Sequence, residues 1–267
     1  MSETLLRFVH LSDTHLSRDP AYNSPYASYI PQVGMTALIG AVAALPFRPD
    51  FILHTGDIIY NPDVSAYDHA RDELAKFGLP LYYVRGNHDS SEGIQRVLMG
   101  REQVSDRLNY TFEVNGVQFI VLDSNDTSRV TVPAGYISED QLDWLEGLCS
   151  ADDPRPLVVA THHNVLPTGS PWLDGYMRTA NGEDLHRVLV KAQDRLRGVF
   201  HGHIHQPIDQ YREGVLYSAA ASSWSQFEAY PMAEHTQTTQ DQVAQPGFSV
   251  VSLTADSTYI RRHTFMV

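Results

Sequence analysis

The sequence predicts an α/β protein with mixed sheets, and two observations support this. Short apolar runs rich in Val, Ile, Phe and Tyr recur along the chain, and most have the pattern of strands buried on both faces. Early in the chain these runs alternate with segments of helical spacing, whereas hairpin-like pairs follow later. The 267 residues, 42% of them hydrophobic, can bury a substantial core. We expect one domain over residues 1–267.

The predicted elements follow one another in a regular order. The strand-like runs are "LRFVHLSD", "DFILHTGD", "LPLYYVRGNHD", "YTFEVNG", "VQFIVLDS", "PLVVATHH", "RGVFHGHIH", "GVLYSAA", "FSVVSL" and "TYIRRHTF". Helical spacing predicts helices over residues 33–45, 63–77, 91–99, 138–148 and 183–195. Ser138 and Gln141 match S-x-x-Q and predict a capping box at the start of the fourth helix. "VNGV" at 114–117 predicts a hairpin turn.

Two longer segments lack a regular pattern. Residues 17–31 are rich in Tyr and Pro, and residues 224–247 are polar and without period. Loops of this length inside a compact domain are usually functional. We therefore expect both segments to cover a site or to form an interface.

Composition and charge exclude several classes of protein. With 19 basic against 32 acidic residues, the net charge is −13, which opposes nonspecific binding to nucleic acid or to an anionic membrane. Apolar stretches stay short of the ~18 residues of a membrane span, and "MSETLLRFVHLSD" lacks the features of a signal peptide, so a cytoplasmic protein is expected. The single cysteine, Cys149, excludes an intrachain disulfide and a thiolate cluster, and its helical context predicts a buried structural residue.

Polar residues directly follow five of the predicted strands. In chain order they are Asp13 and His15; Asp57; Asn87, His88 and Asp89; His162 and His163; and His203 and His205. The carboxyl ends of strands form the ligand crevice of open α/β sheets. Each motif alone has a structural explanation, because an Asp at a strand end commonly caps the next helix. Their recurrence at five strand ends favours one shared site.

The ordered set D-x-H, G-D, G-N-H-D, H-H and G-H-x-H resembles the motifs of the metallophosphoesterase (calcineurin-like) superfamily, over nearly the whole chain. More narrowly, "SDTHLS", "THHNVLPTGSPWLD", "GHIHQPI" and "PGFSVVSL" resemble the class III cyclic-nucleotide phosphodiesterases and the related glycerophosphodiesterases. This resemblance implies a four-layer αββα sandwich, in which two mixed β-sheets are flanked by helices. It also implies two metal ions at the strand ends.

The resemblance further implies a set of metal ligands. Asp13, His15 and His205 would hold one ion, Asn87, His162 and His203 the other, and Asp57 would bridge both. Imidazole, carboxylate and amide ligands without thiolate suit divalent or trivalent ions of Fe, Mn, Zn or Co. Such ions, and not a basic surface, would attract a phosphate to this acidic protein.

The implied chemistry is attack of a metal-bound hydroxide on a phosphodiester. His88 would stabilise the developing charge or protonate the leaving alkoxide. Asp89 would either orient His88 or cap the helix that follows it. His163 would line the pocket or contact substrate, although Asn164 stands where relatives commonly have Pro. Asn181 is typical of this branch and is expected to contact the substrate.

The remaining histidines and several aromatic residues have weaker signals. His201 is expected to be a buried neighbour of the site, while five others are expected to be satisfied core or solvated groups: His10, His54, His69, His186 and His263. His235 would reach a substrate only if its loop covers the site. Trp172 and the tyrosines at 22, 26 and 29 would stack on a base, close a pocket or serve surface loop packing.

The function expected from these features is hydrolysis of a small phosphodiester, with a 3′,5′-cyclic nucleotide such as cAMP favoured by the branch resemblance. A glycerophosphodiesterase or a broad phosphodiesterase or phosphatase would share the same ligands. A non-catalytic binding module of this fold is disfavoured because every motif residue is present. Neither a nucleic-acid surface nor a membrane partner is expected. Dimers are common in this branch, so the resemblance includes a homodimer among the expected assemblies.

Overall fold

Two mixed β-sheets form the centre of the protein. The computed structural model describes residues 3–24, 27, 29–228, 230–231, 237–239 and 245–267. The five-stranded sheet has the order β13 (Thr258–Thr264), β12 (Gly247–Thr254), β1 (Thr4–Leu11), β2 (Phe51–His54) and β3 (Leu81–Tyr83). The six-stranded sheet has the order β4 (Tyr110–Val114), β5 (Val117–Val121), β6 (Leu157–Ala160), β7 (Leu196–His201), β9 (Val215–Ala219) and β8 (Asp209–Arg212). A separate ladder pairs β10 (Gln226–Glu228) with β11 (Gln237–Thr239).

Helices cover the outer faces of both sheets. They are α1 (Pro31–Ala43), α2 (Val64–Leu74), α3 (Ser91–Gly93), α4 (Glu139–Cys149), α5 (Pro171–Tyr176) and α6 (Gly182–Val190). A 3₁₀ turn (Ala75–Phe77) extends α2, and a π-helical turn (Ile94–Leu98) extends α3. Local signals agree with these starts: α1 has a proline in its first turn, and the Asp63 carboxylate accepts the Ala66 N–H at 2.8 Å to cap α2.

The packing arranges these elements in four layers. Between the sheets, the ring of Phe8 stacks on Phe51 at 5.1 Å and meets Phe200 edge-on at 5.3 Å. A second core, which includes Leu38, lies under α1 and α2, and a third, which includes Leu145, lies under α4 and α6. The predicted αββα sandwich is therefore confirmed. Strands buried on both faces follow from this layering, because each sheet faces another sheet on one side and helices on the other.

Three local expectations were wrong. Gln141 does not form a reciprocal capping box with Ser138, because its amide binds the backbone N–H and C=O of Asp123 (both 2.9 Å) as well as the Ser138 hydroxyl. The predicted helix 91–99 is α-helical only at its start; the Gln95 side chain donates to the Ser91 carbonyl in the turn that becomes π-helical. The helix predicted over 183–195 ends at Val190, after which hydrogen-bonded turns continue as far as Leu196.

Other expectations were confirmed or lie outside the described residues. Cys149 is buried in α4, and the turn at 114–117 joins β4 to β5 as predicted. The sequence did not predict β8, β10, β11 or the short α5. Tyr26 and His235 lie outside the described residues. Within the described part of the chain, none of the helices has both the length and the apolar character needed to traverse a lipid bilayer.

Candidate active site

Five strand ends meet at one edge of the sandwich and bring the predicted polar residues together. The parallel strands β1, β2 and β3 contribute from one sheet, and β6 and β7 from the other. Backbone bonds join the loops: Asp13 N donates to Gly56 O at 2.9 Å, and Gly202 N donates to His162 O at 3.1 Å. The site therefore includes loops from both sheets.

Five residues of this site have a left-handed backbone. They are Asp13 (φ 55°), His15 (φ 46°), Asp57 (φ 53°), His203 (φ 70°) and His205 (φ 46°). A side chain held in this region costs roughly 1–3 kcal/mol, and such strain concentrates at functional sites. Among the other described residues, the same backbone occurs without glycine only at Asn115 and Glu213, which lie in hairpin turns. The strain thus concentrates at this edge.

Two glycines permit the close approach of neighbouring loops. A Cβ at Gly86 would lie 2.1 Å from Asp57 Oδ1, and a Cβ at Gly202 would lie 1.9 Å from Ser12 Oγ. Both distances are far below a van der Waals contact. The glycines that precede "NHD" and separate the histidines of "HGH" are therefore required by the loop packing around the site.

One group of potential ligands lies where β1 and β7 end. His15 Nε2 is 3.2 Å from His205 Nε2, and His205 Nε2 is 3.3 Å from Asp13 Oδ1. All three residues are buried, with 5% exposure or less. Two imidazole nitrogens and a carboxylate oxygen thus converge within the reach of a single metal ion.

A second group lies where β3, β6 and β7 end. His162 Nε2 is 3.2 Å from Asn87 Oδ1 and 3.1 Å from His203 Nδ1. His162 and His203 are buried. His162 Nε2 therefore lies within reach of both the amide oxygen of Asn87 and the ring nitrogen of His203, at distances that a shared cation could span.

Asp57 lies between the two groups. Its Oδ2 is 3.8 Å from His15 Nε2 and 3.4 Å from His162 Nε2. Its other oxygen, Oδ1, accepts the backbone N–H of His88 at 2.8 Å. That hydrogen bond orients the carboxylate so that one oxygen faces both groups.

The protonation of two rings can be deduced from their hydrogen bonds. His205 Nδ1 lies 2.7 Å from Ser225 O, and His162 Nδ1 lies 2.7 Å from Thr55 O. A carbonyl oxygen only accepts, so each Nδ1 carries a proton, and each Nε2 is left to bind either a second proton or a cation. Both Nε2 atoms face carboxylate or amide oxygens, which are acceptors. A cation at each position would satisfy this arrangement of acceptors.

The electrostatics of the residues agree with a cation site. Although burial opposes its ionisation, the adjacent His205 holds the pKa of Asp13 at about 2. Burial would lower the pKa of His162, yet Asp57 and Asp13 raise it to about 9. Burial lowers the pKa of His15 to about 3. The carboxylates stay negative, and positive charge is stabilised beside them.

His88 faces the pocket from the loop after β3. Its Nδ1 donates to Tyr60 O at 2.7 Å, and its ring meets that of His15 edge-on at 4.9 Å. His88 lies in the wall of the same pocket as Asp57 and His205. The bond at Nδ1 leaves Nε2 as the nitrogen available to a bound molecule.

Neither expected role of Asp89 matches its contacts. Its carboxylate accepts the backbone N–H groups of Gly86 (2.9 Å) and Ile58 (3.1 Å) rather than contacting His88. The helix that follows is capped by Ser90, whose hydroxyl accepts the Gly93 N–H at 2.9 Å. Asp89 therefore joins the loop after β3 to the loop that carries Asp57.

The expected substrate contacts of His163 and Asn181 are also corrected. His163 is fully buried behind the site, where its Nδ1 bonds Ser124 Oγ at 2.7 Å and its ring is 4.3 Å from that of His203. Asn181 binds the backbone of Ile137 through both its amide oxygen (3.0 Å) and its amide nitrogen (2.7 Å). Neither side chain lines the pocket.

The other histidines occupy supporting positions. His201 ends β7, is buried and bonds Gly202 O, so it is a neighbour of the site as expected. Four of the remaining histidines have hydrogen-bonding partners: His10 (Thr55), His54 (Thr14), His69 (Gln32) and His186 (Tyr217 and Glu213). His263 stacks on Phe248.

A pocket of about 510 Å³ opens above the converging side chains. Its floor is formed by His15, Asp57, Asn87, His88, His203 and His205, and the rest of its lining by Ser24, Tyr60, Pro133, Trp172, Tyr176, Met177, Trp224, Ser225 and Phe227. The sequence pointed to Trp172 but not to most of this lining. The aromatic residues that directly follow "SAAASS" in the segment 224–247 were the available signal.

The described parts of the two irregular segments lie beside this pocket. Trp224 Nε1 donates to Tyr29 O at 2.9 Å, and Tyr29 OH donates to Ser223 O at 3.2 Å. The ring of Tyr22 lies 4.8 Å from that of Tyr60. The described parts of segments 17–31 and 224–247 therefore contact each other through Tyr29 and Trp224, beside the pocket.

Comparison with known proteins agrees with the fold and the motifs. The calcineurin-like phosphoesterase family profile matches residues 6–207. A probable cyclic nucleotide phosphodiesterase of Psychrobacter arcticus is 30% identical over 234 residues, covering 83% of this chain and 81% of the relative. A 3′,5′-cyclic adenosine monophosphate phosphodiesterase of Pseudomonas aeruginosa is 32% identical over 219 residues, covering 82% and 76%.

Solved structures show the same architecture at low sequence identity. A dimetal phosphatase from Danio rerio superposes with a TM-score of 0.67 at 17% identity, covering 99% of this chain and 100% of that one. A purple acid phosphatase from yellow lupin gives 0.68 at 14% identity, covering 99% of this chain and 52% of that one. The family match over most of the length, together with the sandwich and its motif-bearing strand ends, shows that this chain belongs to the calcineurin-like phosphoesterase family.

Proposed function

We propose that this protein is a binuclear-metal-dependent phosphodiesterase that hydrolyses a small cyclic phosphodiester, with 3′,5′-cyclic AMP as the leading candidate. The names of the two bacterial relatives support this substrate class. Both alignments span more than three quarters of each protein.

The observation that carries the proposal is the position of Asp57 Oδ2 between His15 Nε2 (3.8 Å) and His162 Nε2 (3.4 Å). A carboxylate oxygen shared by two groups of acceptors is suited to two neighbouring cations. Asp13, His15 and His205 would hold one ion, and Asn87, His162 and His203 the other, with Asp57 bridging. The donor set of imidazole, carboxylate and amide suits Fe, Mn, Zn or Co.

When bound, two such ions would polarise the phosphate and activate water for attack. The protein would orient the other participants. With its Nδ1 bound to Tyr60 O, His88 presents Nε2 to the pocket. A proton held at Nε2 would stabilise charge on the phosphate and then pass to the leaving alkoxide. Asp89 would act indirectly, by keeping the loop of Asn87 and His88 joined to that of Asp57.

The charge distribution supports a phosphate substrate only if cations are present. The chain has a net charge of −13, and its two site carboxylates, Asp13 and Asp57, are buried. Two divalent ions would make the centre locally positive and attract an anionic ester. We further propose that residues 1–267 form one domain, that segments 17–31 and 224–247 cover the site, and that the protein acts in the cytoplasm as a monomer or homodimer.

The test combines metal analysis with a substrate panel. Protein loaded with Mn²⁺ or Fe²⁺ should retain about two ions per chain and hydrolyse cyclic AMP with a higher kcat/KM than glycerophosphodiesters or monoesters. The variants Asp57→Asn and His205→Ala should lose both metal and turnover while remaining folded. His69→Ala is the matched control, because that imidazole bonds Gln32 on the outer helices.

Three results would contradict the proposal. Loaded protein that binds no metal would exclude the binuclear centre. Full turnover in both ligand variants would place the chemistry elsewhere. A preference for glycerophosphodiesters over every cyclic nucleotide would favour the related glycerophosphodiesterase activity instead.

A further inference from the structure

The part of the pocket away from the floor contains an aromatic wall, formed by Trp172, Tyr176 and Phe227. Trp172 and Tyr176 belong to α5, and their rings are 5.3 Å apart. Phe227 lies on β10 and meets Trp172 edge-on at 6.3 Å. All three line the same pocket as the histidines of the floor.

The aromatic wall adjoins the floor directly. The ring of Phe227 stacks on that of His205, with 4.4 Å between centroids and 7° between planes. His205 is one of the residues that we assign to the metal centre. A molecule whose phosphate lies on the floor would therefore bring its attached group against Phe227 and the two rings of α5.

Helix α5 holds these rings in place. Its Leu173 is fully buried and packs with Ile204 in a small core below the pocket. Asp174 accepts the backbone N–H groups of Thr168 (2.6 Å) and Gly169 (2.9 Å), which ties the preceding loop to the helix. Helix α5 is thus anchored by its buried side and by the loop that precedes it, so the rings of Trp172 and Tyr176 are preorganised for stacking.

The other aromatic residues of the pocket are already engaged. Trp224 is 5% exposed, donates to Tyr29 O and packs against His15 at 5.3 Å. Tyr60 packs on His88 and Tyr22. By contrast, Tyr176 is 53% exposed, and Trp172 and Phe227 are half-buried. The aromatic wall therefore keeps ring surface available to a ligand.

The described lining beside the aromatic wall is mostly aromatic or apolar. It includes the apolar Pro133 and Met177, while Ser24 and Ser225 are its small polar members. Among the described residues that line the pocket, no Lys, Arg or Glu is present, and Asp57 on the floor is the only Asp. The described residues of the aromatic wall would therefore recognise a ligand through ring faces and apolar contact, and every nucleobase offers a ring face for stacking.

Building on the proposed function, we propose that the aromatic wall is the base subsite, and that it binds a nucleobase by stacking without distinguishing adenine from guanine. Cyclic AMP and cyclic GMP would then be hydrolysed with similar kcat/KM. A cyclic ribose phosphate without a base would bind more weakly. Diesters with small aliphatic groups, such as glycerophosphodiesters, would lose the same contact.

The experiment compares variants on three substrates: cyclic AMP, cyclic GMP and methyl riboside 3′,5′-cyclic phosphate, which lacks the base. In Trp172→Ala, KM for both nucleotides should rise about tenfold, as expected from losing one stacking contact, with a smaller rise for the base-free ester. Trp172→Phe should recover part of the loss. Tyr176→Ala, at an exposed position, provides a second variant if Trp172→Ala fails to fold. Tyr211→Ala, an aromatic 74% exposed on β8, is the control.

The results distinguish a failure of the proposed base subsite from a failure of the proposed phosphodiesterase function. An equal loss on all three substrates, or no change in KM for the nucleotides, would overturn the base subsite while leaving the phosphodiesterase intact. A preference of wild-type protein for one purine by more than about thirtyfold, roughly 2 kcal/mol, would overturn the lack of discrimination. If wild-type protein hydrolyses other diesters and no cyclic nucleotide, the proposed function and the base subsite are both wrong.

Discussion

His54 and Thr14 are joined by a buried hydrogen bond of 3.0 Å that links the loop after β1 to the end of β2. Thr14 Oγ1 donates its proton to Ile58 O at 2.9 Å, so it must accept the other bond from His54 Nε2–H. His54 Nδ1 is then unprotonated and accepts the Gly56 N–H at 3.3 Å. This chain of bonds joins the loop of Asp13 and His15 to that of Asp57.

Thr14→Val should therefore weaken the connection between the loop of Asp13 and His15 and the loop of Asp57. The change leaves His54 Nε2–H and Ile58 O buried without their partner, at a cost of about 1–3 kcal/mol. Urea unfolding should show that loss, and titration with Mn²⁺ should show weaker metal binding. Thr14→Ser, which keeps the hydroxyl, should retain the stability and the metal affinity of the wild type. Thr36→Val, at an exposed threonine of α1, should change neither property. Unaltered stability in Thr14→Val would show that this link is dispensable.

Asp89→Asn distinguishes a role in loop packing from a role in orienting His88. The carboxylate accepts backbone N–H groups from Gly86 and Ile58, and an amide presents one acceptor in its place. We expect a loss of roughly 1–3 kcal/mol in unfolding free energy and a lower metal content by elemental analysis. If metal content is kept and only kcat falls, Asp89 acts on His88 after all.

His88→Ala should separate turnover from metal binding. The imidazole faces the pocket but lies outside both groups of ligands in our assignment. Removing a general acid typically lowers the rate by about 10²–10⁴-fold, so kcat for bis(p-nitrophenyl) phosphate should fall by that order while metal content stays near wild type. A parallel loss of metal and activity would make His88 a ligand.

The thiol of Cys149 should be unreactive in the folded protein. Burial raises its pKa from the ordinary 9.0 to about 11. Because the unfolded thiol ionises first, this group's contribution to stability is complete below pH 9 and declines as the pH rises toward 11. At pH 8, Ellman's reagent should label Cys149 rapidly in urea and very slowly in buffer. Rapid labelling of folded protein would contradict the buried position, and Cys149→Ser should give no signal in either condition.

The sequence predicted the floor of the site better than its walls. Ligand candidates such as Asp57 and His203 follow buried strands, and the end of a parallel strand is a position that apolar runs reveal. Trp224 and Phe227 lack such a signal, since their place beside the pocket depends on how the segment 224–247 folds back on the sheets. The same applies to α5, whose six residues are too few for a helical period to be recognised.

Side-chain roles that depend on a single contact were the hardest to predict. Asn181 precedes a helix in the sequence, but its amide is used by the backbone of Ile137, which is 44 positions away. His163 follows a ligand candidate directly, and yet its Nδ1 bonds the buried hydroxyl of Ser124, which is 39 positions away. Sequence order placed both residues near the site but could not determine which atoms they would contact.

The candidate ligands come from both sheets, which has a consequence for synthesis of the chain. Asp13, His15, Asp57 and Asn87 follow strands of the five-stranded sheet, whereas His162, His203 and His205 follow strands of the six-stranded sheet. While the chain is still being translated, the first four can emerge and fold without a complete coordination shell. Metal capture on the ribosome would have to wait for β7 to dock, so the ions would bind only after most of the chain had been synthesised.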